Sequence, residues 1–193
     1  MTLLVPGDPA SISALGADLS RQAERLRRQR TRMLRSQRDL AAWRGPPAAA
    51  FGPALEAQLR LVEDCSEAMA EAGRALQAFA VGLQEARAAA AEAERFCALH
   101  GLQLSGSGTV TLPWGAYSLD RASGYERDLP EGQRLVDRAR TGLAEANRTL
   151  GNRIQAPVAV LTAVGPAVSS AVSAATVPAT GATTGAAERA GRV

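Results

Sequence analysis

An apolar residue recurs at a strict interval of seven along the first part of the chain: Ile12, Leu19, Leu26, Met33 and Leu40. After an interruption the interval returns with Leu55, Val62, Met69, Leu76 and Leu83. A repeat of seven lines one side of an α-helix and of no other regular element, so it predicts two long amphipathic helices. Asp8-Pro9 marks the start of the first, Asp as N-cap and Pro at the first helical position. With Ile12 at position a, position d carries Leu15, Gln22, Gln29, Ser36 and Trp43, a seam apolar at its ends and polar in the middle. A half-specified seam calls for a partner. The second helix, about residues 47 to 98, carries small residues at 65, 72 and 73 that let another helix approach closely.

Between the two runs lies "LAAWRGPPAAAFGPAL", residues 40–55. Gly45 can take a positive φ at a sharp turn, and Pro46 and Pro47 cannot continue one helix but can open the next. Trp43 is expected to roof the core of the hairpin, with Phe51 returning one turn later to meet its indole. Composition fits long, closely packed helices: 46% of the 193 residues are hydrophobic, yet only 4% are aromatic, leaving alanine, leucine and valine to fill the core. All 22 basic residues are arginine; a GC-rich genome accounts for the lack of lysine. Residues 21–44 hold nine arginines against Glu24 and Asp39, a balance of +7, whereas residues 46–98 hold four against eight acids, a balance of −4.

"GLQLSGSGTVTLP" then has two short alternating runs, Leu102–Leu104 and Thr109–Leu112, about a Ser-Gly turn, the pattern of a small β-hairpin. "WGAYSLDRASGYERD" reads as a loop. A third helix is predicted after Pro130, with Leu135, Ala139, Leu143, Ala146, Leu150 and Ile154 on one face. From 156 to 187 there is no charged residue; the first half reads as a weakly apolar helix and the second as linker. Pro166 and the many serines and threonines argue against a membrane span. The expected organisation is all-α: a helical hairpin over 8–98, an irregular or β-hairpin-like connector over 99–130, a third helix over 131–156, and a tail or linker over 157–193.

The catalytic and metal-binding classes are poorly served. His100 is the single histidine and sits just past a predicted helix end, where a cap is the simpler role. A phosphate loop of the lysine type has no lysine to use. Glu63 and Asp64 fall on a predicted solvent face. Cys65 and Cys97 lie 32 residues apart on one helix, about 48 Å, well beyond the reach of a disulfide. The expectation is a non-enzymatic chain without cofactor or metal.

Two heptad helices joined by Trp43-Arg44-Gly45, with no secretory signal pattern in "MTLLVPGDPA", resemble the Trp-x-Gly (WXG) family of type VII (ESX) secretion substrates. The likeness covers residues 8–98, and "GLQLSGSGTVTLP" followed by an alanine-rich helix is similar to the extended N-terminal targeting domains of actinobacterial substrates that often precede a toxin. The resemblance implies pairing, with a second copy or another small hairpin protein, into a four-helix bundle. It also implies recognition by the type VII ATPase and secretion from the cytoplasm without a cleaved signal. The elbow residues would be Trp43, Gly45 and Phe51, and the pairing seam Leu19, Leu26, Met33, Leu40, Leu55, Val62, Met69, Leu76 and Leu83. The family's export signal is a tyrosine or similar residue with an acid four positions on. Here Tyr117 is followed at that distance by Arg121 and Tyr125 by Leu129; Tyr125 and Asp128, three apart, are the nearest approach.

Three other readings stand beside this one. "RQAERLRRQRTRMLRSQR" could neutralise the phosphates of nucleic acid or an anionic membrane. Against nucleic acid stand the absence of aromatics from the helix and the expectation that its arginines are spread over several faces. The same seam would serve an intracellular coiled-coil scaffold or chaperone. The Gly/Thr/Ala-rich end suits a linker into a further toxin domain.

Overall fold

The computed structural model describes residues 5–39, 42–113 and 122–175. The fold is all-α with a small β insertion: α1 (Pro9–Asp39), α2 (Pro46–Leu99), β1 (Gln103–Leu104), β2 (Val110–Thr111) and α3 (Ala122–Ala175). α1 begins as its sequence predicts. The Asp8 carboxylate accepts the backbone N–H of Ala10 and Ser11 at 3.2 and 3.1 Å, and also the Ser11 hydroxyl. These bonds to the ionised form hold the Asp8 carboxyl below the usual carboxylate range, the hydroxyl contributing most.

α2 is the central helix. α1 folds back along one side of it and α3 runs antiparallel along another. The α1–α2 crossing is made by glycine: a Cβ on Gly16 would lie 2.8 Å from the Gly73 carbonyl oxygen, and one on Gly73 would lie 2.7 Å from that of Gly16. Ala23 is fully buried beside this crossing, and Ser20 donates its hydroxyl to the Gly16 carbonyl at 3.0 Å. The close approach expected at small residues 72 and 73 is what brings the helices together, while Cys65 is only partly buried.

The core lies in two clusters toward the far end from the elbow. Val5, Leu83, Ala86, Ala90 and Ala139 form one, with Ile12, Phe79 and Leu143 packed on it. Ala93, Cys97, Leu102, Val110 and Val136 form the other, joined by Tyr125 and Leu129. Leu83 and Val136 are the largest side chains wholly removed from solvent. Toward the elbow burial thins out: between residues 46 and 65 of α2 only Leu59 is buried.

The β-hairpin matches the expected runs, with Gln103 opposite Thr111 and Leu104 opposite Val110. Gly108, at φ 77°, closes its turn, and its N–H donates to the Ser105 carbonyl at 3.0 Å. Gln133 of α3 fastens the hairpin. Its Oε1 accepts the Val110 N–H at 3.0 Å and its Nε2 donates to the Gly108 carbonyl at 3.2 Å.

The third helix departs from its predicted span of 131–156. It starts at Ala122, so 122–128 is helix and not loop, and it continues through Pro130, Pro157 and Pro166 to Ala175. The reason is a stripe spaced by threes and fours: Tyr125, Leu129, Gly132, Val136, Ala139, Leu143, Ala146, Leu150, Ile154, Pro157, Leu161 and Val164. All of these are buried or half-buried. An interior proline costs a helix about 3 kcal/mol in isolation, and packing along α2 offsets it. The weakly apolar helix expected after 156 is thus the continuation of α3. The linker expected near the C-terminus, Leu40, Tyr117 and Arg121 lie outside the described residues. Among the described residues no helix is long and apolar enough to cross a membrane.

Candidate functional site

The elbow follows from three residue types. Gly45 takes φ 107° and ψ 175° as the N-cap of α2, a left-handed φ that a Cβ would strain, and Pro46 and Pro47 occupy the first helical positions. The turn therefore sits where the sequence placed it. Trp43 meets one of its two expectations and departs from the other. The indole is 44% exposed, so it does not roof the hairpin's core. Burial thins out at this end of the hairpin, where Leu59 is the first buried side chain of α2. Phe51 does return to meet the indole as expected, edge to face, centroids 5.7 Å apart and planes at 62°, and is itself 41% exposed. Arg44 donates to the Trp43 carbonyl at 3.2 Å. The result is an exposed aromatic pair beside a cation at the tip of a helical hairpin. Such a surface can be recognised by a protein; aromatic and arginine side chains are the commonest anchors of protein interfaces.

Leu83 of the seam is buried, whereas Leu19, Leu26, Met33, Leu55, Val62, Met69 and Leu76 are half-buried. An ion pair crosses the hairpin: Arg30 donates through Nη2 to Glu63 at 2.8 Å, with its Nε buried and unpartnered among the described residues.

Tyr125 and Asp128 both face inward. Tyr125 packs on the cluster around Cys97, Leu102 and Val136. The Asp128 side chain is only 15% exposed; its Oδ2 lies 2.7 Å from Nδ1 of His100, and Arg127 stands 3.6 Å from its other oxygen. His100 is the C-cap of α2, as its position predicts, with its N–H bonded to the Phe96 carbonyl at 3.1 Å and its ring stacked on Phe96 at 4.2 Å. Sequence reasoning missed this pairing, since 28 residues separate its members. The clasp ties the end of α2 to the start of α3 around the β-hairpin.

A second surface differs in part from its sequence expectation. With about 100° per residue, Arg21, Arg25, Arg28, Arg32 and Arg35 fall within an arc of about 80°. All five are exposed, and the arc points away from the side that carries Gly16 and Ala23 against α2. Five of the eight arginines of α1 form this ridge, while Arg27, Arg30 and Arg38 lie on other faces, as the expected spread has it, Arg30 toward α2. The spacing of 4, 3, 4 and 3 residues was the signal that could have found it.

A shallow groove of about 700 Å³ runs between α2 and α3, floored by Gly82, Ala86, Gly142 and Ala146 and edged by Glu85, Glu92, Arg95 and Arg138. Among the described residues no three of His, Cys, Asp and Glu gather as metal ligands. Both cysteines are free, and burial pushes both thiols up, with Asp64 adding to the effect at Cys65. These elements define an all-α hairpin extended by a third helix and a β-hairpin clasp. Compared with known protein families, with curated proteins and with solved structures, the chain matches none.

Proposed function

We propose that this chain is a non-enzymatic substrate or targeting module of a type VII (ESX) secretion system, carried out of the cytoplasm as a paired helical bundle. The observation that supports this reading is the elbow. Trp43-Arg44-Gly45 joins two antiparallel helices and holds an aromatic pair outward at the tip. The half-buried seam on α1 and α2 is the surface for a second helical hairpin, another copy or a different small protein. The inward-facing Tyr125 and Asp128 are poorly placed to be read as an export signal, so the signal is supplied by the paired chain. The ATPase of the secretion complex then engages the bundle.

The test is the extracellular fraction of tagged protein in an actinobacterial host, with the type VII ATPase intact and deleted, and with a candidate partner co-expressed. ATPase-dependent appearance in the medium, lost in Trp43→Ala, is expected. Retention in the cytoplasm of the intact strain with every hairpin partner of that host co-expressed overturns the reading.

A further inference from the structure

The arginine ridge of α1 is not used by the hairpin. Arg21, Arg25, Arg28, Arg32 and Arg35 lie along about 21 Å of helix, one guanidinium every 5 Å or so, and all are exposed. Arg21 is paired with Asp18 on its own helix. The other four form no ion pair among the described residues. Glu24, beside the arc, is 3.8 Å from Arg27, and Asp39 closes the ridge at its C-terminal end. Between Arg21 and Asp39 the arc carries no apolar side chain; Leu26, Met33 and Leu34 lie off it and are half-buried. Its polar margins are Gln29, Thr31 and Ser36, all exposed.

We propose that this ridge binds the phosphate backbone of double-stranded nucleic acid. Guanidinium groups meet phosphate oxygens in a planar, two-point geometry, and five in a row on a straight helix offer a matching line of donors. A helix about 10–12 Å across fits a major groove about 12 Å wide. Here the arginine side of α1 is the free half, and the other half is held by α2. A bilayer fits less well. An interfacial helix dips apolar side chains below the lipid headgroups, and the arginine arc offers none between Arg21 and Asp39. The absence of aromatics speaks against stacking on single strands but not against gripping a duplex backbone. Recognition through phosphates alone is indifferent to base sequence.

The inference stands apart from the export reading, because a duplex titration and a secretion assay fail separately. The experiment is a fluorescence-anisotropy titration of the full chain against two labelled 20-base-pair duplexes of unrelated sequence, over a range of salt. Four phosphates neutralised give a slope of log affinity on log salt of about −3.6, a loss of roughly 150-fold between ~50 and ~200 mM. Both duplexes should bind alike. Replacing Arg25, Arg28, Arg32 and Arg35 by Gln should abolish binding, whereas Arg60→Gln, Arg138→Gln, Arg148→Gln and Arg153→Gln together, the same charge removed elsewhere, should leave most of it. If the fourfold ridge variant loses helicity, Arg28→Glu and Arg32→Glu singly make the same comparison. The proposal is overturned by no duplex binding at ~50 mM salt, or by equal loss in the two fourfold variants. It is also overturned if vesicles of anionic phospholipid bind through the ridge while duplexes do not.

Discussion

Replacing Gly73 by alanine tests whether a glycine contact sets the distance between α1 and α2. In a helix interior, Gly→Ala is normally favourable by about 0.8–1 kcal/mol, because alanine restricts the unfolded backbone. At Gly73 the added methyl would sit 2.6 Å from the Ser20 hydroxyl and 2.7 Å from the Gly16 carbonyl oxygen. The hydroxyl can rotate away but the carbonyl belongs to a helix backbone, so the helices must part by about half an ångström or more. Overpacking of that kind costs about 1–3 kcal/mol, and parting the helices also loosens the contact at buried Ala23. The net expectation is a loss of about 1–2 kcal/mol, or about 2–8 °C in melting temperature for a chain of this size. Gly151 is also helical, but a methyl added there would have nothing within 4 Å, so Gly151→Ala should raise stability by about 0.5–1 kcal/mol. Circular-dichroism melts and urea titrations of the two variants read opposite signs. Gly73→Ala as stable as the parent would refute the crossing and the helix order built on it.

The elbow and the core should respond differently to truncation. Trp43→Ala removes an exposed edge-to-face contact and should cost about 1 kcal/mol, while Leu83→Ala, in the packed cluster, should cost about 3 kcal/mol; urea titration ranks them. The lowered Asp8 carboxyl stabilises the helix start above the ordinary aspartate pKa of about 3.9, and that contribution is lost as pH falls through the lowered folded value. The difference in melting between Asp8→Ala and the parent should therefore be full at neutral pH and vanish in acid. A difference that grows below about pH 4 would contradict the cap. Cys97 is 2% exposed and Cys65 partly exposed, so iodoacetamide should label Cys65 first in the native protein and both alike in denaturant. Equal native rates, followed by mass spectrometry, would place Cys97 outside the core.

Local chemistry is legible in the linear chain. The heptads, the Asp8-Pro9 start and the Gly-Pro-Pro turn depend on residues within a few positions of one another, and they define the hairpin, its elbow and the starts of its two helices. The β-hairpin is legible for the same reason. What neighbouring elements decide is not. Prolines 130 and 157 read as helix boundaries because each removes a donor, yet α2 lends enough buried surface to carry α3 through both. Trp43 reads as a core residue because its size and heptad position suit one, but it is 44% exposed at the end of the hairpin where burial thins out. Asp128 gives no local sign of its partner, because His100 lies 28 residues away at the end of another helix. Periodicity, capping and turn chemistry act over one or two turns, so the sequence alone determined the elements. Burial and pairing act across elements, so only the tertiary structure decided which side chains were spent on the fold and which, like the elbow pair and the arginine ridge, were left facing outward.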